Sequence, residues 1–168
     1  DYVWEEDGKL HIEGGKETVI RCYPKLKDCS VLPDGFEACG LDHEFILYRR
    51  REKAEDTRVT VTEGTVGENS RIYNLKITSP ETWRDTILSL DFGGDKIEIF
   101  RDGEMLTDSY YTGEPVQISL RYFDFPQELQ VKIYPLKEDA PRFLERWPQM
   151  KDGCACELYG VGVKNLVW

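Results

Sequence analysis

Apolar and polar residues alternate along several stretches of this chain. In the clearest stretch, Leu129, Val131 and Ile133 alternate with charged and amide residues between positions 128 and 132. A repeat of two places successive side chains on opposite faces of a strand, so one face enters a core and the other meets water. The same alternation recurs at 59–62, 73–78, 88–92 and 116–122. These stretches are predicted to be half-buried strands of antiparallel sheets.

Turn-forming residues separate the alternating stretches. Glycine adopts positive φ freely, and aspartate and proline favour tight turns, so these residues mark where strands end. The chain then holds roughly ten short strands. We predict an all-β fold in which two facing antiparallel sheets form a β-sandwich of jelly-roll type. The turn signals are Asp7-Gly8, Gly14-Gly15, Pro33-Asp34-Gly35, Ser79-Pro80, Gly93-Gly94, Asp102-Gly103, Gly113, Pro126 and Pro135.

The strongest local signal is a hairpin between Gly94 and Gly113. Asp102-Gly103 lies between two short strand-like runs, and both residues tolerate the positive φ that a two-residue primed turn requires. The returning run ends in Tyr110-Tyr111. Because alternate side chains point to opposite faces, we expect one of these rings to be buried and the other to point outward.

A helical spacing occurs near the C-terminus, at 141–147. Pro141 suits the first turn of a helix, and Phe143, Leu144 and Trp147 are spaced so that they would share a face. We therefore predict one or two helical turns in this segment. A final strand is predicted over 158–168, where glycines would allow a bend or a bulge.

Several motifs, taken in order, are similar to a known family. The segment from Gly94 to Gly113 reads Gly-Asp, a short apolar strand, Asp-Gly, and then Asp-x-aromatic-Tyr-x-Gly. This pattern resembles the C-terminal β-sandwich region of bacterial β-galactosidases of glycoside hydrolase family 35. The resemblance covers roughly residues 9 to 143. The other similar stretches are Leu10–Glu13, Val19–Pro24, Gly40–Arg49, Leu129–Pro135 and Ala140-Pro141.

The resemblance implies both a fold and a role. The implied fold is a jelly roll of the galactose-binding-domain type, in agreement with the alternation described above. The family's catalytic glutamates lie in a separate barrel domain, so this chain would be an accessory module excised from a larger glycoside hydrolase. The implied partners are a carbohydrate, either a galactoside or a polysaccharide, and the neighbouring catalytic domain.

Length and charge narrow the class of protein. The chain has 168 residues, enough for one ordinary domain, and we predict a single module over 1–168. Its 32 acidic and 22 basic residues give a net charge of −10, which disfavours a nucleic-acid partner because phosphate binding needs a concentrated basic patch. No apolar run approaches the length of a membrane helix, so no membrane partner is expected. For the parent protein, a bacterial cytoplasmic location and a secreted or cell-surface location both stay open.

Metal-binding motifs are weak. The chain has five cysteines with no repeated spacing, Cys22, Cys29, Cys39, Cys154 and Cys156. They lack the paired Cys-x-x-Cys or Cys/His pattern of zinc sites, and small buried hydrophobic residues are the alternative interpretation. A structural calcium held by Asp91 with Asp95, or by Asp102 with Glu104, is a smaller alternative, since acids in turns usually only form the turn. We predict no cofactor.

No catalytic motif is recognisable. Glycoside hydrolysis requires two carboxylates about 5 to 9 Å apart, one of them with a raised pKa. Asp91, Asp95 and Glu98 are candidates, but a chain this acidic supplies such pairs by chance. The sequence has no Gly-x-Ser-x-Gly nucleophile elbow and no phosphate-binding loop. We therefore predict that the chain is not an enzyme by itself.

Sugar binding is the sharper prediction. A sugar ring has an apolar face edged with hydroxyls, so its sites combine an aromatic ring with carboxylates, amides or arginine. Trp83, followed by Arg84, falls in a polar loop between two predicted strands, where the ring would have few core neighbours. Tyr110 and Tyr111, with Asp108, form a second candidate, although both rings could instead brace the turn at 113.

Two functions compete for this sandwich. As an accessory module of a β-galactosidase-like enzyme, the chain would bind carbohydrate or frame the entrance to the active site. As a structural interdomain or protein-interaction module, it would have no sugar ligand, and its exposed aromatic rings would pack against a partner domain. Exposed rings beside carboxylates or arginine would favour the first function.

Overall fold

The computed structural model of the chain describes residues 2–26, 29–53, 55–67, 69–80 and 83–167. These residues form antiparallel sheets, and helical structure among them is confined to 3-10 turns at Cys29–Val31 and Arg121–Phe123. The predicted all-β class is confirmed. Within the described ranges, no helix has the length and apolar character needed to cross a membrane.

The described strands are joined by turns and by two longer connections, at 23–36 and 138–153. In chain order they are β1 (Tyr2–Glu6), β2 (Lys9–Glu13), β3 (Glu17–Cys22), β4 (Glu37–Asp42), β5 (Phe45–Arg51), β6 (Arg58–Gly67), β7 (Ser70–Thr78), β8 (Asp85–Gly93), β9 (Lys96–Arg101), β10 (Glu104–Tyr110), β11 (Val116–Ser119), β12 (Glu128–Tyr134), β13 (Leu136–Lys137), β14 (Cys154–Ala155) and β15 (Glu157–Leu166).

Contacts group the chain into two compact units. The first unit comprises Asp1–Asp56, Pro80–Asp85 and Asn165–Trp168, and the second comprises Thr57–Ser79 and Thr86–Lys164. That both units belong to the single module predicted over 1–168 stays a prediction.

The second unit contains a β-sandwich. One sheet has the strand order β10-β9-β12-β7-β6, and the other has the order β11-β8-β15. The chain passes from one sheet to the other between β7 and β8, β8 and β9, β10 and β11, and β11 and β12, so successive strands alternate between layers. Inward side chains of both sheets form one buried cluster, which confirms the predicted two-sheet sandwich. Its most buried members are Leu75, Leu88, Leu90, Phe92, Ile97, Ile99, Leu120, Val131 and Ile133.

The β9–β10 hairpin forms as its sequence predicts. Asp102 has φ 50° and Gly103 has φ 82°, and two successive positive φ values are what a type I′ hairpin turn requires. The turn and the shift in pairing between Met105 and Thr107 together set the register of the two strands, in which Tyr110 lies opposite Lys96 and Asp108 lies opposite Glu98. These four residues therefore share one face of the sheet.

Gly94 allows a close approach of backbone at the start of β9. A Cβ at this position would lie 2.7 Å from the carbonyl oxygen of Tyr134, so a larger residue would collide with the end of β12. The next residue, Asp95, donates its N–H to that same carbonyl at 2.8 Å, and its own carbonyl accepts from Tyr111 N–H at 3.1 Å. Gly94 thus lets Asp95 sit where the ends of β12 and β10 meet.

Both outermost strands of the five-stranded sheet have irregular register. In β10, the pairing with β9 shifts between Met105 and Thr107. In β6, the pairing with β7 shifts between Glu63 and Val66. Such bulges bend a strand and increase its twist. Each edge of this sheet, within the described residues, is therefore bent rather than straight.

The predicted helix at 141–147 is wrong. This segment has bends and no helix. A single helical turn is stable only when its apolar face is packed, and here Phe143 is almost fully exposed. The side chains of Arg142 and Arg146 instead form ion pairs with Asp95 and Glu114, which lie outside this segment. Helical geometry appears at Arg121–Phe123, where the predicted strand over 116–122 ends early.

The first unit has smaller sheets. Strand β1 pairs with β2, and β3, β5 and β4 form a three-stranded sheet. Ile12, Leu32 and Tyr48 are the buried residues of its core. The outward side chains of β3 and β5 include Val19 and Phe45, which are exposed.

Candidate functional site

Trp83 lies in the first unit, just before β8, and is buried, with 4% of its surface exposed. Its indole N–H donates to the backbone carbonyl of Glu55 at 3.0 Å. The interpretation of Trp83 as a loop ring with few core neighbours is therefore wrong. The polar sequence around Trp83 does not predict this burial, because Glu55, which accepts the indole N–H, is distant in the chain. Trp83 offers almost no face on which a sugar could stack.

Arg84 is held inside the first unit by an ion pair with Glu13, and both side chains are mostly buried. Its guanidinium carbon also lies 6.0 Å from the ring centroid of Trp4. That ring stacks on His11 with a centroid separation of 5.2 Å. Trp83 and Arg84, which were predicted to contact a sugar, thus contact other residues of the first unit.

Tyr110 and Tyr111 differ in exposure. Tyr111 packs edge-on against Phe92, with ring centroids 5.6 Å apart, and belongs to the periphery of the sandwich core. Burial raises the pKa of its phenol. Tyr110 is 55% exposed. The predicted division into one buried and one outward ring is confirmed, and Tyr110 is the ring that faces solvent.

Lys96 lies between two carboxylates beside this ring. Its ammonium is 2.7 Å from the carboxylate of Asp108 and 3.0 Å from that of Glu98. It is also 6.0 Å from the centroid of the Tyr110 ring. Hydrogen bonds to Asp108 and Glu98 raise the pKa of Lys96, so the side chain stays charged throughout the physiological range. Asp108 and Tyr110, two of the predicted site residues, are brought together here.

Glu98 has an environment that favours its charged form. Burial opposes ionisation, but hydrogen bonds from Lys96 and from the Tyr134 hydroxyl, at 2.8 Å, outweigh it and lower the pKa of Glu98. A general acid for glycoside hydrolysis needs a raised pKa. The environment of Glu98 shifts its pKa in the opposite direction.

Arg142 contacts the Tyr110 ring from the 141–147 segment. Its guanidinium carbon is 5.1 Å from the ring centroid. Its Nη2 donates to one oxygen of Asp95 at 3.1 Å, and its Nε lies 2.9 Å from the other oxygen, so the guanidinium and the carboxylate form an ion pair. Beside it is an open depression of about 360 Å³ lined by Asp95, Arg142 and residues between 135 and 141. We call the following set the tyrosine cluster: Asp95, Lys96, Glu98, Asp108, Tyr110 and Arg142.

A groove of about 460 Å³ lies on the same sheet, toward β6. Four of its residues, Thr62, Asn74, Gln130 and Phe100, are in register across β6, β7, β12 and β9. The Gln130 amide donates to the side-chain oxygen of Asn74 at 3.3 Å, and the Thr62 hydroxyl donates to the Asn74 backbone carbonyl at 3.4 Å. We call this the amide groove, with polar and aromatic lining from Thr60, Thr62, Asn74, Lys76, Phe100, Asp102, Glu128 and Gln130.

The amide groove offers chemically mixed contacts. Phe100 supplies an apolar ring that is only partly buried. Asn74 and Gln130 supply amide donors and acceptors, and they use only part of that capacity on each other. Lys76 and Glu128 lie opposite each other in the neighbouring row, so the charges along the groove are balanced there.

Sequence reasoning missed the amide groove. The signal was present in β9, where Lys96, Glu98 and Phe100 alternate with the buried Ile97 and Ile99. A phenylalanine on the polar face of a strand does not pack in the core, so its ring is available for other contacts. The amides that complete the groove come from β7 and β12, and their register with Phe100 is visible only in the folded sheet.

No protein-family model, curated protein or solved structure matches this chain. The resemblance to glycoside hydrolase family 35 therefore stays a prediction.

Metal chemistry has no visible support in the described parts of the chain. No group of three or more His, Cys, Asp or Glu side chains there could hold a metal ion. Asp95, one of the acids considered for calcium, pairs with Arg142 instead. Cys39, Cys154 and Cys156 are free thiols. The side chain of Cys29 lies outside the described residues.

Proposed function

We propose that this chain is a non-catalytic carbohydrate-binding module and that the amide groove holds the sugar. One observation carries the proposal: an outward phenyl ring, Phe100, lies in register with the amides of Gln130 and Asn74 and the hydroxyl of Thr62. A sugar needs an apolar surface for its ring face and neutral donors and acceptors for its hydroxyls. The groove provides both on four adjacent strands.

The position of the groove on a sheet favours binding. Side chains that project from neighbouring strands are held in place by the backbone ladder, so little conformational freedom is lost when a ligand arrives. The volume of about 460 Å³ accommodates a small ligand. Because the groove is open, we expect the affinity to be modest.

The role in a larger protein follows from the resemblance. In this proposal the module belongs to a β-galactosidase-like glycoside hydrolase and holds carbohydrate near the neighbouring catalytic domain. The lowered pKa of Glu98 disfavours this residue as the general acid of glycoside hydrolysis. Turnover of a chromogenic galactoside by this chain alone would contradict the non-catalytic assignment.

A glycan array followed by isothermal titration calorimetry tests the proposal. The array should contain galactosides and neutral plant and bacterial polysaccharide fragments. We expect at least one neutral glycan to bind. Phe100→Ala should lower its affinity by about tenfold or more, the factor that corresponds to ~1.4 kcal/mol of lost contact.

The control variant is Tyr122→Ala. Tyr122 is 82% exposed and does not line the amide groove, so its removal should leave the affinity unchanged. Equal melting temperatures for the wild type and both variants would show that the fold is intact. If no glycan binds, or if Phe100→Ala binds as tightly as the wild type, the groove is not a sugar site.

A second function is favoured by one feature of the first unit. Tyr23 and Phe45 are exposed aromatic residues at one end of the three-stranded sheet, and their rings are 5.9 Å apart. Such a surface suits contact with a neighbouring domain of the parent protein. Mixing the chain with the separately expressed remainder of that protein tests this function, and Phe45→Ser should weaken the association.

A further inference from the structure

The amide groove and the tyrosine cluster lie on one continuous face of the five-stranded sheet. Phe100 of the groove and Lys96 of the cluster are four residues apart on β9, and both side chains point to the solvent face. Glu98, between them, lies opposite Lys132 on β12 and Asp108 on β10. The surface between the amide groove and the tyrosine cluster is therefore formed by polar side chains of the same sheet face.

The distance between the two rings exceeds the reach of one sugar. With a rise of about 3.3 Å per residue, four residues of β9 separate the Phe100 row from the Tyr110 row by roughly 13 Å. A single pyranose ring cannot touch both Phe100 and Tyr110. A linear oligosaccharide of several units can lie across both.

The Tyr110 ring is held in place before any ligand arrives. Arg142 contacts it at 5.1 Å and forms an ion pair with Asp95. Lys96, held by Asp108 and Glu98, lies at 6.0 Å from the same ring. With 55% of Tyr110 exposed, the ring still offers surface to a ligand. A ring that is already ordered loses little side-chain entropy when a sugar packs on it.

The charges indicate an uncharged ligand. The cations of the tyrosine cluster, Lys96 and Arg142, are each paired with at least one carboxylate, so an acidic sugar would have to displace these partners. The whole chain has a net charge of −10, which repels polyanions at long range. Neutral hydroxyls can instead accept from Lys96 and Arg142 and donate to Asp95 and Asp108 without breaking the pairs.

From these observations we infer that the ligand is a linear, uncharged oligosaccharide that lies along β9 from Phe100 in the amide groove to Tyr110 in the tyrosine cluster. This inference rests on the proposed function, and it adds a minimum length, a second aromatic contact and a charge for the ligand. Tyr110 is the contact for the distal sugar units, and Arg142 is the residue that positions its ring.

Calorimetry with a length series of one neutral oligosaccharide, from the monosaccharide to the hexasaccharide, tests the inference. The series should be built from whichever glycan binds in the array. We expect the affinity to rise with length until the ligand covers both rings, and then to stay level. Tyr110→Ala should lower the affinity of the hexasaccharide by about tenfold, equal to ~1.4 kcal/mol, and leave that of the shortest binding ligand unchanged.

Phe100→Ala should weaken every member of the series, since all of them occupy the groove. Tyr110→Phe keeps the ring and should retain most of the affinity for the hexasaccharide, whereas Arg142→Ala should give an intermediate loss. Tyr122→Ala is the control and should leave the affinity for every oligosaccharide unchanged.

Affinity that does not grow with length, or a Tyr110→Ala variant that binds the hexasaccharide as tightly as the wild type, would overturn the inference while leaving the groove as a sugar site. Absence of binding at every length would overturn both.

Discussion

At the scale of single residues, neighbours in sequence have separate roles. Tyr111 packs on Phe92 in the core, and Tyr110 faces solvent beside Lys96. Strand alternation explains this difference, because successive side chains of β10 point to opposite faces. Trp83 shows the limit of local reasoning, since its position next to polar residues says nothing about Glu55, the residue that accepts its N–H.

Trp83 is expected to be a stability residue. Trp83→Ala should reduce the free energy of unfolding by about 3–5 kcal/mol, because a large buried ring is lost and a cavity is left. Urea denaturation followed by circular dichroism measures the change. Trp147→Ala is the matched control, since that ring is 42% exposed, and its loss should be clearly smaller. Equal losses for the two variants would show that Trp83 is not a core residue in solution.

Glu98 gives the sheet a defined dependence on pH. Its pKa is lowered from the ordinary value of 4.5 in the folded state, so the stabilisation is complete above pH 4.5 and is lost as the pH falls through the folded-state pKa. Glu98→Gln removes the stabilisation that the ionised Glu98 carboxylate provides. The difference in melting temperature between wild type and variant should therefore be largest above pH 4.5 and shrink at lower pH.

Tyr134→Phe is the companion variant for this pH experiment. It removes one of the hydrogen bonds that lower the pKa of Glu98, so the wild-type dependence should weaken and move toward the ordinary pKa. A constant difference in melting temperature across the acid range would show that Glu98 is not stabilised in its charged form.

At the scale of elements, turns and strand ends position the site. The Asp102-Gly103 turn and the bulge between Met105 and Thr107 together set the register that brings Asp108 and Tyr110 beside Lys96. Gly94 lets the start of β9 approach the end of β12, and this places Asp95 where Arg142 can bind it. The tyrosine cluster therefore depends on backbone geometry at two short connections.

Gly94→Ala should disturb this connection. The added Cβ would lie 2.7 Å from the Tyr134 carbonyl oxygen, so we expect a loss of about 1–3 kcal/mol in the free energy of unfolding, the range for overpacked sites. Gly160→Ala is the control, because a Cβ there meets nothing within 4 Å and the change should be within about 0.5 kcal/mol. Thermal unfolding of both variants measures the two losses. Equal stability of the two variants would contradict the close approach of Gly94 to the Tyr134 carbonyl.

The elements that sequence alone predicts well are those with strong local rules. Alternation and the Asp-Gly turn predict β9, β10 and β12 nearly to the residue. The helix at 141–147 was predicted from spacing alone and is absent, because Arg142 and Arg146 find carboxylates on other segments. The amide groove could not be predicted, since Thr62, Asn74, Gln130 and Phe100 come from four strands whose order is a property of the folded sheet.

At the scale of the whole molecule, the net charge of −10 separates classes of ligand. An uncharged oligosaccharide has no long-range interaction with this field, whereas a charged ligand is repelled or attracted in a manner that salt screens.

Calorimetric titrations at low and at high sodium chloride test this distinction. The affinity of a neutral glycan should be the same at both salt concentrations, within a factor of about two, because no ion pair forms or breaks on binding. A marked change in affinity at high salt would indicate that ion pairs form or break when the neutral glycan binds, which contradicts the proposed mode of binding. An acidic sugar of equal length serves as the comparison and is expected to bind more weakly at low salt.

The shifted registers of β6 and β10 affect how copies of this protein meet in a concentrated solution. A straight outer strand presents a row of unpaired N–H and C=O groups onto which another molecule can add its own strand, and this is how many sandwich proteins aggregate. The irregularities at 63–66 and 105–107 interrupt that row on both sides of the sheet. Each described edge of the five-stranded sheet is therefore a poorer template for strand addition than a straight strand would be.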